Sequence, residues 1–115
     1  MSYKGGCHCG KIAFDVDGDI DKVVECNCSI CSKRGSLFWF VPRTNLHLCV
    51  PASELPTYTF NKHHIQHKFC PVCGVSPFSM ATDRNGNEMA AMNVRCFEGV
   101  DTASLKVVPF DGRSL

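Results

Sequence analysis

Long apolar runs are missing from this sequence of 115 residues. No segment approaches the roughly 20 apolar residues of a membrane helix, and the opening MSYKGGCHCG holds no apolar stretch able to serve as a signal peptide. Clustered positive charge is missing too: Lys and Arg are scattered, and net charge is +1 with His neutral, so no basic stripe offers itself to a phosphate backbone. Sustained helical periodicity, internal repeats, linkers and low-complexity tracts are also absent. These absences argue against a membrane or nucleic-acid partner. They leave one domain spanning residues 1–115, expected to be soluble and cytoplasmic, and with 44% hydrophobic residues the chain is long enough to bury its own core.

Cysteine, by contrast, is plentiful. Nine occur, an odd number that fits a closed disulfide framework badly, in a compartment expected to keep thiols reduced. Seven fall into three tight groups: Cys7 and Cys9 in CHC, Cys26, Cys28 and Cys31 in CNCSIC, and Cys70 and Cys73 in CPVC, while Cys49 and Cys96 stand alone. Grouped cysteines under reducing conditions read as metal thiolates.

The remaining pattern is that of short strands. Ile12, Phe14 and Val16 alternate along residues 10–16 and DGD follows as a turn, with KVVEC as the expected partner strand. SLFWFVP is apolar at successive positions, too short for a helix and closed by Pro42, as expected of a strand covered on both faces. LHLCV, TYTFN and HIQHKF are further candidates. PFSMAT and EMAAMNV flank Asp83-Arg84-Asn85-Gly86-Asn87, where Asn-Gly favours a tight hairpin turn. The expected fold is mainly β.

The cysteine groups lie at the ends of these strands. Residues two apart on an extended strand are separated by about 6.6 Å, whereas thiolates sharing a tetrahedral zinc at about 2.3 Å lie about 3.8 Å apart. A C-x-C pair on one ion must therefore bend, and Gly5, Gly6 and Gly10 around CHC, with Pro71 and Gly74 at CPVC, are placed to allow it. Two pairs make a closed four-thiolate site and leave Cys26, Cys28 and Cys31 as a set of three. Spacing alone leaves other partitions open, with Cys49, Cys96 or His8 completing the set of three.

In these residues the chain resembles the glutathione-dependent formaldehyde-activating enzymes, whose domain also occurs in centromere protein V. The resemblance runs through GGCHCGKIAF, CNCSICSKRG, FWFVP, KFCPVCGVSPF, MNVRCFEGVD and VPFDGR. It implies a small, single-domain zinc-binding β-tent fold of short antiparallel strands with two Zn2+ per chain. A structural zinc would sit on Cys7, Cys9, Cys70 and Cys73, and a second zinc with an open position on Cys26, Cys28 and Cys31. The implied activity is a carbon-sulfur lyase reaction, the reversible condensation of glutathione with formaldehyde to S-hydroxymethylglutathione.

That chemistry suits the residues. An open coordination position marks a catalytic zinc, and three thiolates make a weak activator of water but a suitable site for another thiol. Lys33 and Arg34, directly after Cys31, are candidates to offset the site's negative charge or to meet substrate carboxylates; the plainer reading is a solvated loop face. With seven thiolates and two zinc ions the formal charge becomes +1 − 7 + 4 = −2, which weakens a nucleic-acid role further. On a strand, His63 and His67 lie about 13 Å apart, too far to share an ion, so His63, His64 and His67 read as surface or core histidines. Phe38, Trp39 and Phe40 read first as core and second as a pocket wall. The partners expected are a small-molecule thiol and an aldehyde; the alternative function is a non-catalytic zinc-stabilised binding module or thiol carrier. Oligomeric state is not legible.

Overall fold

The alternating and doubly apolar segments form two sheets with the core between them in the computed structural model, which describes residues 1–114. The smaller sheet has the order β1-β2-β5: β1 (Ser2–Gly6) pairs antiparallel with β2 (Ala13–Asp17), and β2 with β5 (Leu46–Leu48). The larger sheet has seven strands in the order β10-β3-β4-β9-β8-β7-β6. It comprises β3 (Val23–Cys26), β4 (Phe38–Pro42), β6 (Thr57–Tyr58), β7 (Gln66–Lys68), β8 (Phe78–Thr82), β9 (Glu88–Asn93) and β10 (Val107–Phe110). One turn of helix, α1 (Cys31–Arg34), ends at Gly35, whose φ of 70° places it in the left-handed region. No helix among the described residues is long and apolar enough to cross a membrane.

The mainly β, single-core architecture is the one expected, and β8 and β9 form the hairpin around Asn85-Gly86. The Asp83 carboxylate accepts the backbone N–H groups of Asn85 and Asn87, at 2.9 Å each, and pins the turn. Two pairings differ from the sequence reading. KVVEC does not pair with residues 10–16: β2 and β3 lie in different sheets, and β3 takes β4 on one side and β10, in parallel, on the other. That parallel pair is the exception to an otherwise antiparallel fold, and it needs a partner from the far end of the chain, which local pattern does not reveal.

Phe14 and Val16 of the small sheet, with Ile12 just before β2, pack against Trp39, Val41, Phe78 and Met92 from the large one. Side chains as fully buried as Phe78, Ile12 and Met92 each contribute about 1.5–3 kcal/mol relative to exposure. Phe97 joins the layers: Tyr3, Phe14 and Trp39 pack their rings on it with centroids 5.7, 5.7 and 6.2 Å away. On β4 the expectation of two covered faces fails. Leu37, Trp39 and Val41 are buried, but Phe40 is 53% exposed, because the second face of the large sheet lines a cavity.

Candidate functional site

Seven cysteines come together at the strand ends in two sets. The Sγ atoms of Cys7, Cys9, Cys70 and Cys73 lie within 4.8 Å of one another, as do those of Cys26, Cys28 and Cys31. Cys7 and Cys9 are 3.7 Å apart at sulfur and Cys9 and Cys70 3.5 Å, close to the roughly 3.8 Å edge of a tetrahedral thiolate site. Backbone N–H groups point at these sulfurs. Ile12 donates to Cys7 at 3.3 Å, and Val72 and Cys73 to Cys70 at 3.4 Å. In the second set Cys28 donates to Cys26 at 3.4 Å and Cys31 to Cys28 at 3.5 Å. Such bonds favour thiolate over thiol, so both sets fit a metal ion in spacing and in donor chemistry.

The local backbone explains the CPVC turn. Gly74 has φ +80° and returns its N–H to the Cys70 carbonyl at 2.9 Å, a conformation that side chains with a Cβ adopt at a steric cost. Gly10, at +86°, bends CHC likewise. Gly5 and Gly6 do not bend it: they belong to β1, and their missing side chains make room for the Cys96 and Ile12 carbonyls.

Ionisation differs across the clusters. The Val75 backbone N–H, then that of Cys9, hold the Cys73 thiol down at about 6. Burial, then the neighbouring Cys28 side chain, push Cys31 up, while Cys28 is lowered against its own burial by the Cys31 N–H. Cys96 is pushed up to about 11 by burial, then by charge at Cys7 and Cys73. It therefore neighbours the set of four and offers the set of three nothing. Cys49 is also elsewhere, accepting the Ala13 N–H at 3.2 Å. No Cys49, Cys96 or His8 completes the set of three.

Cys26, Cys28 and Cys31 open instead onto a cavity of about 520 Å³. Its apolar walls are Val24, Phe38, Phe40, Phe60, Ile65 and Phe110. Strand register aligns His67, Ser79, Ala91 and Phe40 in one row across β7, β8, β9 and β4, and all four line the same cavity. A second cavity of about 390 Å³ shares Cys28, Phe60, Asn61 and Gly112 with the first but is polar, with Ser29, Ser32, Lys33 and Arg113. Lys33 thus stands beside the cluster, whereas Arg34 lines neither cavity. Trp39 is core and Phe38 and Phe40 are wall, which splits the aromatic trio. His63, at φ +59° and bonded through Nδ1 to Thr59 Oγ1 at 2.8 Å, sits in a turn, so HIQHKF is strand only from Gln66 to Lys68.

Residues 111–113 complete the site, and the sequence reading missed them. Asn27 binds them at both ends of its amide: Nδ2 donates to Asp111 Oδ1 and Oδ1 accepts the Arg113 N–H, each at 2.9 Å. A Cβ on Gly112 would meet Cys26 Sγ at 2.5 Å and Cys28 Cβ at 3.2 Å. Only glycine lets the segment lie directly on the cluster. The signal available in the sequence was Asp-Gly-Arg after the last strand, but nothing local connects it to Asn27.

A family model described as glutathione-dependent formaldehyde-activating enzyme matches residues 2–107. The crystal structure of a Rhodobacter sphaeroides protein, a structural genomics target, is similar over 92% of this chain and 97% of that one, with 30% sequence identity and a TM-score of 0.77.

Proposed function

Because the chain belongs to the glutathione-dependent formaldehyde-activating enzyme family, we propose that it catalyses reversible addition of glutathione or a related small thiol to an aldehyde, a carbon-sulfur lyase reaction, at Cys26, Cys28 and Cys31. The observation that carries this reading is that the set of three opens onto a large cavity. A purely structural cluster would have no use for that opening, so an enzyme is favoured over a binding module or thiol carrier. All-sulfur donors select zinc among the common divalent ions. Cys7, Cys9, Cys70 and Cys73 hold the structural ion.

When bound at Cys26, Cys28 and Cys31, zinc favours the ionised, nucleophilic form of an incoming thiol. In the forward direction a sulfur lone pair forms the C–S bond, the carbonyl π electrons move to oxygen, and the thiol proton ends on that oxygen. The reverse reaction breaks the C–S bond and restores thiol and aldehyde. Lys33 and Arg113, in the polar cavity beside Cys28, are placed to receive carboxylates of the thiol. The phenylalanine walls keep water from the reacting carbonyl, which favours the hemithioacetal over hydration. Seven metal thiolates persist only under reducing conditions, and we place the protein in the cytoplasm.

The test is zinc stoichiometry with and without glutathione in wild type and Cys28→Ser, together with S-hydroxymethylglutathione formation. Two ions per chain in the wild type, one of them responsive to thiol and lost in Cys28→Ser together with activity, is the expected result. A second site blind to thiols sinks the proposal.

A further inference from the structure

The larger cavity matches neither reactant of the family's namesake reaction. Formaldehyde is a single carbon and oxygen and leaves a space of about 520 Å³ nearly unfilled. Glutathione carries two carboxylates and an ammonium; Asn61, Lys62 and His64 also line the cavity but are exposed, whereas along Phe38, Phe40, Phe60 and Phe110 such charges find no partner, and charge set against apolar walls without a partner is unfavourable. The polar cavity, with Lys33 and Arg113, suits it better. Since both cavities reach Cys28, a thiol arriving through the polar one meets a second reactant lying in the apolar one.

A second observation concerns the part of the cavity away from the cysteines. His67 lies in β7, separated from β3 and Cys26 by three strands of the sheet. It is 4% exposed, its Nδ1 lies 3.1 Å from Ser79 Oγ, and Phe60 stacks on its ring with centroids 5.5 Å apart. Its Nε2 is buried and has no hydrogen-bond partner. A buried polar atom left unpaired is destabilising and rare; Nε2 itself is covered, so a partner from the cavity that His67 lines reaches it through a small movement of the side chains over it.

We propose that the second reactant is an aldehyde with an extended apolar body of phenyl size or larger, lying along the phenylalanine walls from the cysteine cluster towards His67, with a hydroxyl or similar group that bonds to His67 Nε2. This inference rests on the thiol addition proposed above and leaves its balance unchanged: the C–S bond forms at the aldehyde carbon and the thiol proton ends on the former carbonyl oxygen. A hydroxyl is the natural terminal group because it donates and accepts, and so serves either tautomer of the imidazole.

The probe is 3-(4-hydroxyphenyl)propan-1-ol, an unreactive analogue of the corresponding aldehyde, titrated calorimetrically into the zinc-loaded full chain. Saturable binding is expected, about tenfold weaker for 3-phenylpropan-1-ol, which lacks the phenolic hydroxyl, and about tenfold weaker in Phe40→Ser. His67→Phe, which keeps a ring against Phe60, should abolish the preference for the hydroxylated ligand. With glutathione, kcat/KM for 3-(4-hydroxyphenyl)propanal should exceed that for formaldehyde by at least about tenfold. Absence of binding, or equal affinity of the wild type for both alcohols, overturns the inference even if His67→Phe does not fold. Turnover of formaldehyde without alcohol binding overturns this inference and leaves the proposed reaction standing, whereas alcohol binding with no turnover of either aldehyde overturns the reaction itself.

Discussion

Gly112 rests directly on Cys26: a single added Cβ would come within 2.5 Å of the cysteine sulfur. Residues 111–113 are fixed there by both ends of the Asn27 amide, so they cannot yield without breaking those bonds. Gly112→Ala should weaken metal binding at Cys26, Cys28 and Cys31 by about tenfold or more while the set of four keeps its ion. Metal content after competition with a chelator of graded strength measures both sites in one titration. Equal affinity at the second site would contradict the contact.

Cys70 is the most deeply buried of the sulfur donors, 1% exposed, and accepts two backbone N–H groups. Structural zinc binding is coupled to folding free energy. Cys70→Ser should therefore lose about 3 kcal/mol or more, a fall in Tm on the order of 10 °C, whereas Cys28→Ser should melt close to the wild type. Thermal denaturation followed by circular dichroism separates the two; matched melting temperatures would show that the sets do not divide fold from function.

Lys33 and Arg113 are both exposed beside the polar cavity. Exposed ion pairs contribute up to about 1 kcal/mol, so Lys33→Met and Arg113→Met should each raise KM for glutathione by about fivefold. The neutral thiol 2-mercaptoethanol should be unaffected. A parallel loss with both thiols would assign the two residues to something other than carboxylate binding.

Burial, then the charge of Arg34, hold the His67 imidazole below its usual value of 6.5. The unfolded chain therefore takes up a proton that the folded chain refuses, and the stability tied to this ring is present above 6.5 and lost as pH falls from 6.5 towards the folded value. His67→Phe removes that dependence. Its melting temperature relative to wild type should rise on acidification from pH 7.5 to 5.5, with acid effects on the cysteine clusters common to both proteins. A constant difference across that range would contradict a neutral, buried His67.

The three cysteine groups were legible because thiolates sharing an ion must come close together, but spacing left their partition open; the division into four and three, which the family resemblance implies, is the grouping that the structure brings together. The hairpin at Asn85-Gly86 was legible because turn geometry is local. Strand partners were not: β3 reads as a neighbour of β2, yet its sheet is decided by β10, more than 80 residues later. The same non-locality hid the cavity. Phe38 and Phe40 alternate with Trp39 as any core strand does, and only the row formed with Ala91, Ser79 and His67 shows which face is open. His67 reads from the sequence as a surface or core histidine; the structure buries it, and its unpaired nitrogen exists only once Phe60 and Ser79 surround it.

The two cysteine sets also differ in how soon a growing chain can assemble them. Cys26, Cys28 and Cys31 sit within six positions, whereas Cys9 and Cys70 are 61 residues apart. Closing the longer loop costs about 2 kcal/mol more chain entropy than closing the shorter one. On the ribosome the nearer trio is thus ready to capture an ion first, and the clasp that ties the two sheets together waits until residue 73 has emerged. Gly112, which lies on the trio, emerges about 80 residues after Cys31, so the trio is complete well before the segment that packs on it.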